Sequence, residues 1–327
     1  MRDDTALAQA HEAMAAWGGT GTPRLIRNRE NAVFEIITPA GRAALRLHRQ
    51  GYQTEAAIRS ELWWMRALAD RAQPVPHPLR TATGALTHCL QGGRIASALA
   101  WVEGAPLGAA GIPLSGTAQE QAAQHHALGR LLATVHSATD RLEPPQDFER
   151  PHWDLPGLLG ESPLWGRFWE HPGLAPAEAR LLVEARAFCA EATRDATARG
   201  ADQGLVHADV LRENVLLTEN GPVLIDFDDC GRGFRLYDLG TALSQNLSEP
   251  HLPAILAALV DGYASLRPLA PEDQALIPVM TLMRCLASVG WTMTRIPQES
   301  PLHRSYINRA TRLSAQLLRG EGLVGKD

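Results

Sequence analysis

Polar side chains with metal-binding chemistry crowd two short stretches in the second half of this 327-residue sequence. One is residues 207–214, His-Ala-Asp-Val-Leu-Arg-Glu-Asn, and the other is residues 225–229, Ile-Asp-Phe-Asp-Asp. Crowded carboxylates repel one another, so such a group indicates a bound cation or basic neighbours. Carboxylate and amide oxygens are hard ligands that suit Mg²⁺ carrying substrate phosphates far better than zinc or copper. The two stretches therefore indicate phosphate chemistry.

Three brief apolar runs position these polar residues. Residues 205–207, 215–217 and 223–225 predict short strands at close spacing, and polar residues crowd their ends. The surrounding sequence is mostly helical. Apolar periodicity predicts helices over residues 118–137, 176–199, 252–267, 272–295 and 304–318.

The sequence before residue 104 predicts strands around one good helix. Residues 32–38, 43–48 and 95–102 are strand-like, and Pro39-Ala40-Gly41 between the first two predicts a hairpin. Residues 54–69 have a helical period with one apolar face. Glu61 falls inside that face, where a carboxylate needs a partner, whereas a surface-exposed Glu61 is the alternative.

Composition excludes several classes of protein. A hydrophobic content of 45% and a charged content of 20% are typical of a folded globular chain. The net charge of −5 argues against nucleic acid or an anionic membrane surface as the main partner. Four widely separated cysteines indicate neither a zinc ribbon nor a disulfide scaffold. No apolar run nears the length of a secretion signal or membrane span, so we expect a cytoplasmic protein.

The pattern His-x-Asp-x-x-x-x-Asn, followed by Ile-Asp-Phe-Asp, resembles that of the kinase-like phosphotransferases. This family includes aminoglycoside phosphotransferases, choline kinases, homoserine kinases and bacterial stress-response kinases, and the resemblance is nearest to homoserine kinases and stress-response kinases. It implies an α+β, bilobal protein-kinase-like fold. We expect a small antiparallel β-sheet lobe with one helix at residues 1–103, which binds nucleotide, and a larger helical catalytic and substrate lobe at residues 104–327. The hinge is expected near residues 99–104.

The resemblance assigns roles to the two polar stretches. It implies that Asp209 is the catalytic base, which accepts the proton of the attacking hydroxyl, and that Asn214 and Asp226 bind Mg²⁺. Asp228 lies two residues after Asp226, so in an extended chain its carboxylate faces the same side as a further metal ligand. A solvated turn that caps the next helix is the alternative for Asp228. Asp238 is interpreted as structural, either capping a helix or tethering the catalytic loop through backbone N–H groups.

Arg46 stands where these enzymes commonly carry a lysine that holds the α- and β-phosphates. The only lysine among the 31 Lys and Arg residues is Lys326, so no nearby lysine can take over. Arginine keeps the charge, but its planar fork is larger and differently aimed. The resemblance to a strand-lysine and helix-glutamate pair predicts an ion pair between Arg46 and Glu61.

The resemblance also implies how the nucleotide is covered and held. Residues 27–34 occupy the position of the nucleotide-covering loop, where the side chains of Asn28 and Asn31 and backbone N–H groups would cradle phosphate. An ordinary β-turn is the alternative. Residues 100–102 would link the lobes, and the backbone groups of Trp101 and Val102 would hydrogen-bond adenine.

Two aromatic stretches are candidates for the acceptor pocket. One is the tryptophan-rich insertion at residues 144–172, and the other is Arg284, Trp291 and Arg295 on one face of a late helix. Tryptophan walls with arginine donors suit a small polar or anionic hydroxyl compound, or a cationic one through the ring faces. An aromatic core with snorkelling arginines is the alternative. Gly129 and His136 are interpreted as packing residues.

The main hypothesis is an ATP- and Mg²⁺-dependent phosphotransferase that moves the γ-phosphate to the hydroxyl of a small molecule such as an amino alcohol, amino acid or aminoglycoside-like compound. A protein Ser/Thr kinase of the stress-response type, with a protein substrate, is a variant of it. A nucleotide-binding pseudokinase is an alternative suggested by Arg46, although the retention of Asp209, Asn214 and Asp226 argues against it. A metal-dependent phosphohydrolase is disfavoured because it would not need Arg46 and Glu61 in a separate lobe.

Overall fold

A computed structural model describes residues 3–28 and 30–324 of the chain. The chain forms two compact units. The first unit comprises Met1–Ala105, Leu142–Arg150 and Val223–Asp228, and the second comprises Pro106–Arg141, Pro151–Pro222 and Asp229–Asp327. Neither unit is one continuous stretch of chain. Two short segments beyond residue 103 therefore pack with the first unit.

The first unit contains a five-stranded antiparallel sheet with strand order β1-β2-β3-β5-β4. Its strands are β1 (Thr20–Asn28), β2 (Ala32–Thr38), β3 (Gly41–Leu47), β4 (Thr87–Cys89) and β5 (Ile95–Ala100). The predicted hairpin at Pro39–Gly41 is confirmed, because β2 and β3 pair from Thr38 and Gly41 back to Ala32 and Leu47.

Several elements of this unit, including the short strand β4, were missed by the sequence analysis. Helix α1 (Asp3–Met14) buries only Ala6, Ala10, Ala13 and Met14, so its apolar face is too weak in hydrophobicity to stand out. Strand β1 has a single buried side chain, Pro23, and therefore shows no alternation. The predicted loop over residues 27–34 instead contains the end of β1 and the start of β2.

Helix α2 (Glu55–Ala69) confirms the helical period predicted for residues 54–69. Thr54 caps it by accepting a 3.0 Å hydrogen bond from the Ala57 N–H, which satisfies one unpaired donor of the first turn. The buried face includes four large apolar side chains, Ile58, Leu62, Met65 and Leu68. Glu61 lies among them and is fully buried.

The two later segments of the first unit are attached to α2 and its neighbours. The Glu149 N–H donates to Ser60 Oγ at 2.9 Å, and Arg150 Nη1 donates to the Ala57 carbonyl at 3.1 Å. Phe227 contacts Trp64 edge to face at 5.3 Å between ring centroids. These contacts hold residues 223–228 beside α2, which positions Asp226 and Asp228.

The second unit is mainly helical. Its helices are α3 (Ala118–Thr139), α4 (Leu155–Leu159), α5 (Pro176–Ala198), α6 (Leu236–Ser244), α7 (Leu252–Ala264), α8 (Pro271–Arg295) and α9 (Leu302–Leu318). The five predicted helices are confirmed with small differences at their ends, whereas α4 and α6 were not predicted. Helix α6 is buried on every side, which removes the amphipathic pattern that would have revealed it.

Short strands lie between the helices. They are β6 (Ala105–Pro106), β7 (His152–Trp153), β8 (Gln203–Val206), β9 (Val215–Thr218), β10 (Gly221–Leu224) and β11 (Gly231–Phe234). Strands β7, β11 and β8 form a small sheet in that order. The three predicted strands correspond to β8, β9 and β10, shifted by one or two residues.

Glycines allow α3 and α7 to pack backbone against backbone. A Cβ atom at Gly129 would lie 2.2 Å from the Leu259 carbonyl oxygen, and one at Gly262 would lie 2.1 Å from the His126 carbonyl oxygen. Both distances are far below van der Waals contact, so neither position accepts a side chain without separating the helices. The packing interpretation of Gly129 is confirmed.

Contrary to the expectation that no apolar run nears the length of a membrane span, helix α8 is long and apolar enough to cross a membrane by composition, the one such helix among the described residues, and 83% of its apolar window is buried inside the protein. Such burial is typical of the core helix of a globular unit. Helix α8 also contains Arg284, whose side chain is only 6% exposed.

Candidate active site

The catalytic-loop motif lies in the second unit, between strands β8 and β9. A short 3-10 turn at Arg212–Asn214 folds the chain back, so that Asn214 reaches the beginning of the motif. Asn214 Nδ2 donates to the Asp209 carbonyl oxygen at 2.9 Å and to Asp209 Oδ2 at 2.7 Å. The structure therefore brings Asp209 and Asn214 into direct contact, and the Asp209 side chain remains 16% exposed.

Asp238 binds the backbone at the start of this loop. Its two carboxylate oxygens accept hydrogen bonds from the backbone N–H groups of His207 at 2.8 Å and Ala208 at 2.7 Å. Burial raises the pKa of Asp238, but the hydrogen bond from His136 and the other donors outweigh it, so the pKa is lowered and the group stays ionised. The interpretation of Asp238 as a structural tether of the catalytic loop is confirmed.

His136 supports Asp238 from helix α3. Its Nε2 lies 3.0 Å from Asp238 Oδ2, and its Nδ1 lies 3.0 Å from the Tyr263 hydroxyl. Burial lowers the pKa of His136, which favours the neutral ring that donates to the carboxylate and accepts from the phenol. His136 is thus a core histidine with both nitrogens bonded, as predicted.

Arg284 of helix α8 binds the catalytic loop directly. Its Nη2 donates to Asp209 Oδ1 at 2.7 Å, and its Nη1 donates to the Ala208 carbonyl oxygen at 3.1 Å. The sequence analysis placed Arg284 in the wall of the acceptor pocket and did not predict this contact. No local pattern could have revealed it, because 75 residues separate the two partners.

A buried ion pair fixes the other end of the loop. Arg212 Nη2 pairs with Glu249, and the same guanidinium donates to Asn246 Oδ1 at 2.7 Å. Arg212 Nη1 also donates to the Ile112 carbonyl at 2.8 Å. With Arg212 held in this way, the turn that carries Asn214 has little freedom to move. The position of Arg212 inside the motif was the available signal, and the sequence analysis did not use it.

The first unit contains the predicted pair of Arg46 and Glu61. Arg46, on β3, forms an ion pair with Glu61 of α2, and both side chains are buried. The predicted ion pair is therefore confirmed. Burial lowers the pKa of Arg46, but the carboxylates of Glu61, Asp228 and Asp226 together outweigh it and raise the pKa above the usual range.

The same guanidinium reaches the two aspartates of the Ile-Asp-Phe-Asp motif. Arg46 Nη1 lies 3.6 Å from Asp226 Oδ1 and 3.9 Å from Asp228 Oδ1. Asp226 has a φ angle of 63°, a left-handed conformation that is uncommon outside glycine. The Asp226 side chain is 41% exposed, whereas that of Asp228 is 12% exposed. The structure thus groups Arg46, Glu61, Asp226 and Asp228.

Two residues that the sequence analysis missed hold the backbone at Asp228. Gln53 Nε2 and Arg150 Nη2 both donate to the Asp228 carbonyl oxygen. Arg150 Nη1 also donates to Gln53 Oε1 at 2.5 Å, which joins the two donors. Neither residue lies in a recognisable motif, so the sequence held no signal for them.

The predicted nucleotide-loop asparagines take part in local hydrogen bonds. Asn28 Nδ2 donates to Asp3 Oδ1 at 2.7 Å, and Asn31 Oδ1 accepts from the Arg49 N–H at 2.9 Å. Trp101 follows the last residue of β5, and its N–H donates to the Arg42 carbonyl at 3.1 Å. Trp101 and Val102 are both half-buried. Phosphate contacts by the asparagines and adenine contacts by residues 101–102 stay predictions.

The donor atoms in both units have the chemistry that Mg²⁺ prefers. Asn214 uses its amide nitrogen toward Asp209, so its amide oxygen, the atom able to bind a cation, takes no part in those bonds. Asp226 and Asp228 contribute carboxylate oxygens. Over residues 3–28 and 30–324, no three His, Cys, Asp or Glu side chains are grouped so as to hold a metal without other ligands. The oxygens in each unit are of the kind that binds magnesium which retains waters and substrate phosphates.

The tryptophan-rich insertion is packed on the catalytic-loop side of α8. The Trp165 ring lies 4.8 Å from the Arg284 guanidinium carbon and 5.8 Å from that of Arg295. Trp153 contacts Trp165 edge to face at 4.9 Å and stacks on Tyr237 at 5.9 Å. The two stretches that the sequence analysis proposed for the acceptor pocket therefore meet within the second unit. Both Trp153 and Trp165 are buried, so they also serve as core.

Comparison with known proteins identifies the family. Residues 22–273 match the model of the phosphotransferase enzyme family. An uncharacterised protein of Deinococcus radiodurans is 32% identical over 274 residues, covering 81% of this chain and 75% of that protein. A homoserine kinase of Polaromonas naphthalenivorans is 27% identical over 269 residues, covering 77% of this chain and 74% of that protein.

A solved structure described as the microcompartment-associated aminopropanol kinase is 28% identical and superposes with a TM-score of 0.84, covering 98% of this chain and 99% of that one. The predicted α+β, protein-kinase-like fold is confirmed by this likeness and by the five-stranded antiparallel sheet. The family match spans well over half of the sequence. On these grounds the chain belongs to the phosphotransferase enzyme family.

Proposed function

We propose that this protein transfers the γ-phosphate of ATP to the hydroxyl group of a small amino alcohol or hydroxy amino acid, with magnesium as the metal. The observation that supports it most directly is the pairing of Asp209 with Asn214 in the family's catalytic-loop motif. The choice of acceptor class is supported by the relatives, since a homoserine kinase and an aminopropanol kinase both take small hydroxyl compounds that carry an amino group. Phosphoryl transfer needs mainly alignment and charge neutralisation, which such a site supplies.

Asp209 is proposed as the base that accepts the proton of the acceptor hydroxyl. Each of its carboxylate oxygens accepts one hydrogen bond from the protein, from Arg284 on Oδ1 and from Asn214 on Oδ2. A carboxylate has about four lone-pair positions, so acceptor capacity for a substrate hydroxyl is left. The partial exposure of the side chain allows a small molecule to reach it.

Asn214, Asp226 and Asp228 are proposed as the magnesium ligands. These residues would hold Mg²⁺, which would supply positive charge to neutralise the transferred phosphate. Asp226 has a left-handed backbone and a carboxylate that is 41% exposed, while the backbone carbonyl of Asp228 is held by Gln53 and Arg150. The motif thus has one accessible carboxylate, at Asp226, and one less exposed carboxylate on a fixed backbone, at Asp228.

We assign nucleotide binding to residues 1–103 and the acceptor side to residues 104–327. Arg46 is proposed to contact the phosphates in place of the usual lysine, with Glu61 holding it. Asn28, Asn31 and the backbone of Trp101 and Val102 are proposed as further nucleotide contacts. Arg46 is rigidly held, because β3, Glu61 and two aspartates surround it.

The test is a screen of acceptors with γ-labelled ATP. Homoserine, aminopropanol, choline, an aminoglycoside and a protein substrate are each incubated with enzyme in the presence and absence of Mg²⁺. We expect labelled product with an amino alcohol or hydroxy amino acid, dependent on Mg²⁺ and absent in Asp209→Asn. Label on the protein substrate alone would replace the small-molecule acceptor by a protein. Mg²⁺-dependent ATP binding without transfer to any acceptor would favour the pseudokinase.

A further inference from the structure

Arg284 makes three different contacts around the beginning of the catalytic loop. One nitrogen donates to the Asp209 carboxylate, and the other donates to the carbonyl of the preceding residue, Ala208. The face of the guanidinium lies 4.8 Å from the ring of Trp165. A planar fork with separate donors can hold two neighbouring acceptors at once, which a lysine ammonium on a flexible stem cannot do in a fixed geometry.

The charge of Arg284 is retained despite its burial. The side chain is only 6% exposed, and burial lowers its pKa. Asp209 first, and then Tyr237, Asp229 and Tyr306, together outweigh this effect, so that the pKa of Arg284 is raised above the usual range. The pair is therefore a buried ion pair with good geometry, and removing one partner leaves the other uncompensated.

The residue held by Arg284 has an uncommon backbone conformation. Ala208 has a φ angle of 64°, in the left-handed region that a residue with a Cβ seldom adopts. Its N–H is bonded to Asp238, and its carbonyl oxygen is bonded to Arg284. Two charged side chains, one on each peptide group, thus maintain the turn that presents Asp209.

We propose that Arg284 is the positioning residue of the reaction: it sets the orientation of the Asp209 carboxylate, and Trp165 of the insertion holds Arg284 in place. This inference rests on the proposed function, in which Asp209 accepts the proton of the acceptor. Arg284 fixes Oδ1 from one side and Asn214 fixes Oδ2 from the other, so the carboxylate cannot rotate. The insertion at residues 144–172 acts on catalysis through this contact.

The experiment compares Arg284→Met and Arg284→Lys with a matched control in the same unit. Arg235→Met is that control, because Arg235 is equally buried, pairs with Asp140 and donates to the Leu205 carbonyl. For each variant we measure kcat and the KM values for ATP and for the acceptor found in the screen, together with the melting temperature and its shift by Mg²⁺ and ATP. Chemical rescue of Arg284→Met by guanidinium ion is measured in parallel.

Arg284→Met is expected to lower kcat about 100-fold while the KM for ATP stays within about twofold, because misplacing a reacting group affects turnover more than nucleotide binding. The kcat of Arg284→Lys is expected to fall about tenfold, the effect of losing one charge-assisted hydrogen bond. Guanidinium ion should restore part of the kcat that Arg284→Met loses. Arg235→Met should melt at a lower temperature with unchanged kcat. A folded Arg284→Met with wild-type kcat would overturn the proposal.

A crystal structure of Arg284→Met gives a readout that needs no acceptor. The Asp209 carboxylate should leave its position while the bond from the Ala208 N–H to Asp238 persists, and an unmoved carboxylate would refute the positioning role. If Arg284→Met does not fold, Arg284→Lys serves in both measurements. Failure of the proposed function would give a different result: a fully active Asp209→Asn would show that Asp209 is not the base, whatever the effect of the Arg284 variants.

Discussion

The two buried arginines, Arg46 in the first unit and Arg284 in the second, bind the motif carboxylates in different ways. Among the described residues, Arg284 pairs with one carboxylate, that of Asp209, and places its other donor on a backbone carbonyl. Arg46 is shared by Glu61, Asp226 and Asp228. One guanidinium group thus pairs with three carboxylates in the first unit, whereas that of Arg284 pairs with one in the second.

This difference indicates that Arg46 and Arg284 have different roles. Carboxylates grouped around one guanidinium favour further positive charge, so the cluster around Arg46 is consistent with the proposed cation site. The pair at Asp209 instead fixes the geometry of one carboxylate. We infer that one arginine prepares a metal and phosphate site and that the other positions a base.

The largest expected effect concerns the pair at Asp209. Asp209→Asn removes the proton acceptor and is expected to lower phosphate transfer by about 1,000-fold, within the range for loss of a positioned base. The change leaves Arg46 and its carboxylates untouched, so the melting-temperature shift by Mg²⁺ and ATP should persist. We would measure initial rates with labelled ATP and the thermal shift of the same preparation. Loss of the thermal shift would mean that the two arginine clusters are not independent.

Replacement of Arg46 tests the shared cluster. Arg46→Ala leaves Glu61 buried without its counterion, and we expect the free energy of unfolding to fall by about 3 kcal/mol. Arg46→Lys keeps the charge and should retain part of both stability and transfer, because the resemblance to kinase-like phosphotransferases implies a phosphate-binding lysine at this position. Urea unfolding and transfer rates give the two readings. Equal transfer rates in wild type, Arg46→Lys and Arg46→Ala would exclude a phosphate contact by Arg46.

Magnesium binding tests the carboxylate cluster directly. With Asp226 and Asp228 as the proposed metal ligands, Mg²⁺ and ATP together should stabilise the protein, by about 2.7 kcal/mol at a ligand concentration of 100 times Kd. Asp226→Asn should lose most of this stabilisation, while Asp202→Asn, which alters an aspartate paired with Arg267 in the second unit, should keep it. Thermal shift with and without EDTA measures the difference. An undiminished shift in Asp226→Asn would remove Asp226 from the metal ligands.

The smallest expected effect is a pH dependence of stability that arises in the first unit, beside Arg46. His48 is buried beside Arg46, and burial first and the nearby arginines second lower its pKa well below the ordinary 6.5. Below pH 6.5, His48 therefore binds a proton in the unfolded chain but stays neutral in the folded chain. The free energy of unfolding falls as the pH drops below 6.5. Each such histidine contributes at most about 1.4 kcal/mol per pH unit. His48→Gln should reduce this slope in urea unfolding, and an unchanged slope would contradict a neutral His48.

Local sequence patterns determined much of the fold. Helices α2, α3, α5, α7, α8 and α9 followed from the period of their apolar residues, since burial of one face requires that period. Helix α1 and strand β1 were not predicted because three alanines, one methionine and one proline are all that they bury. Helix α6 escaped because every face of it is buried.

The motif residues Asp209 and Asn214 could be recognised from the sequence because the pattern His-x-Asp-x-x-x-x-Asn resembles that of the kinase-like phosphotransferases, and their contact spans only five residues of chain. The burial of Glu61 followed from the helical period of α2 in the same way. Only the tertiary structure showed that Arg284 binds Asp209. It also showed that Arg46, besides its predicted partner Glu61, lies near Asp226 and Asp228. Such pairs depend on which element packs on which, and no periodicity along the chain encodes a contact between residues that far apart.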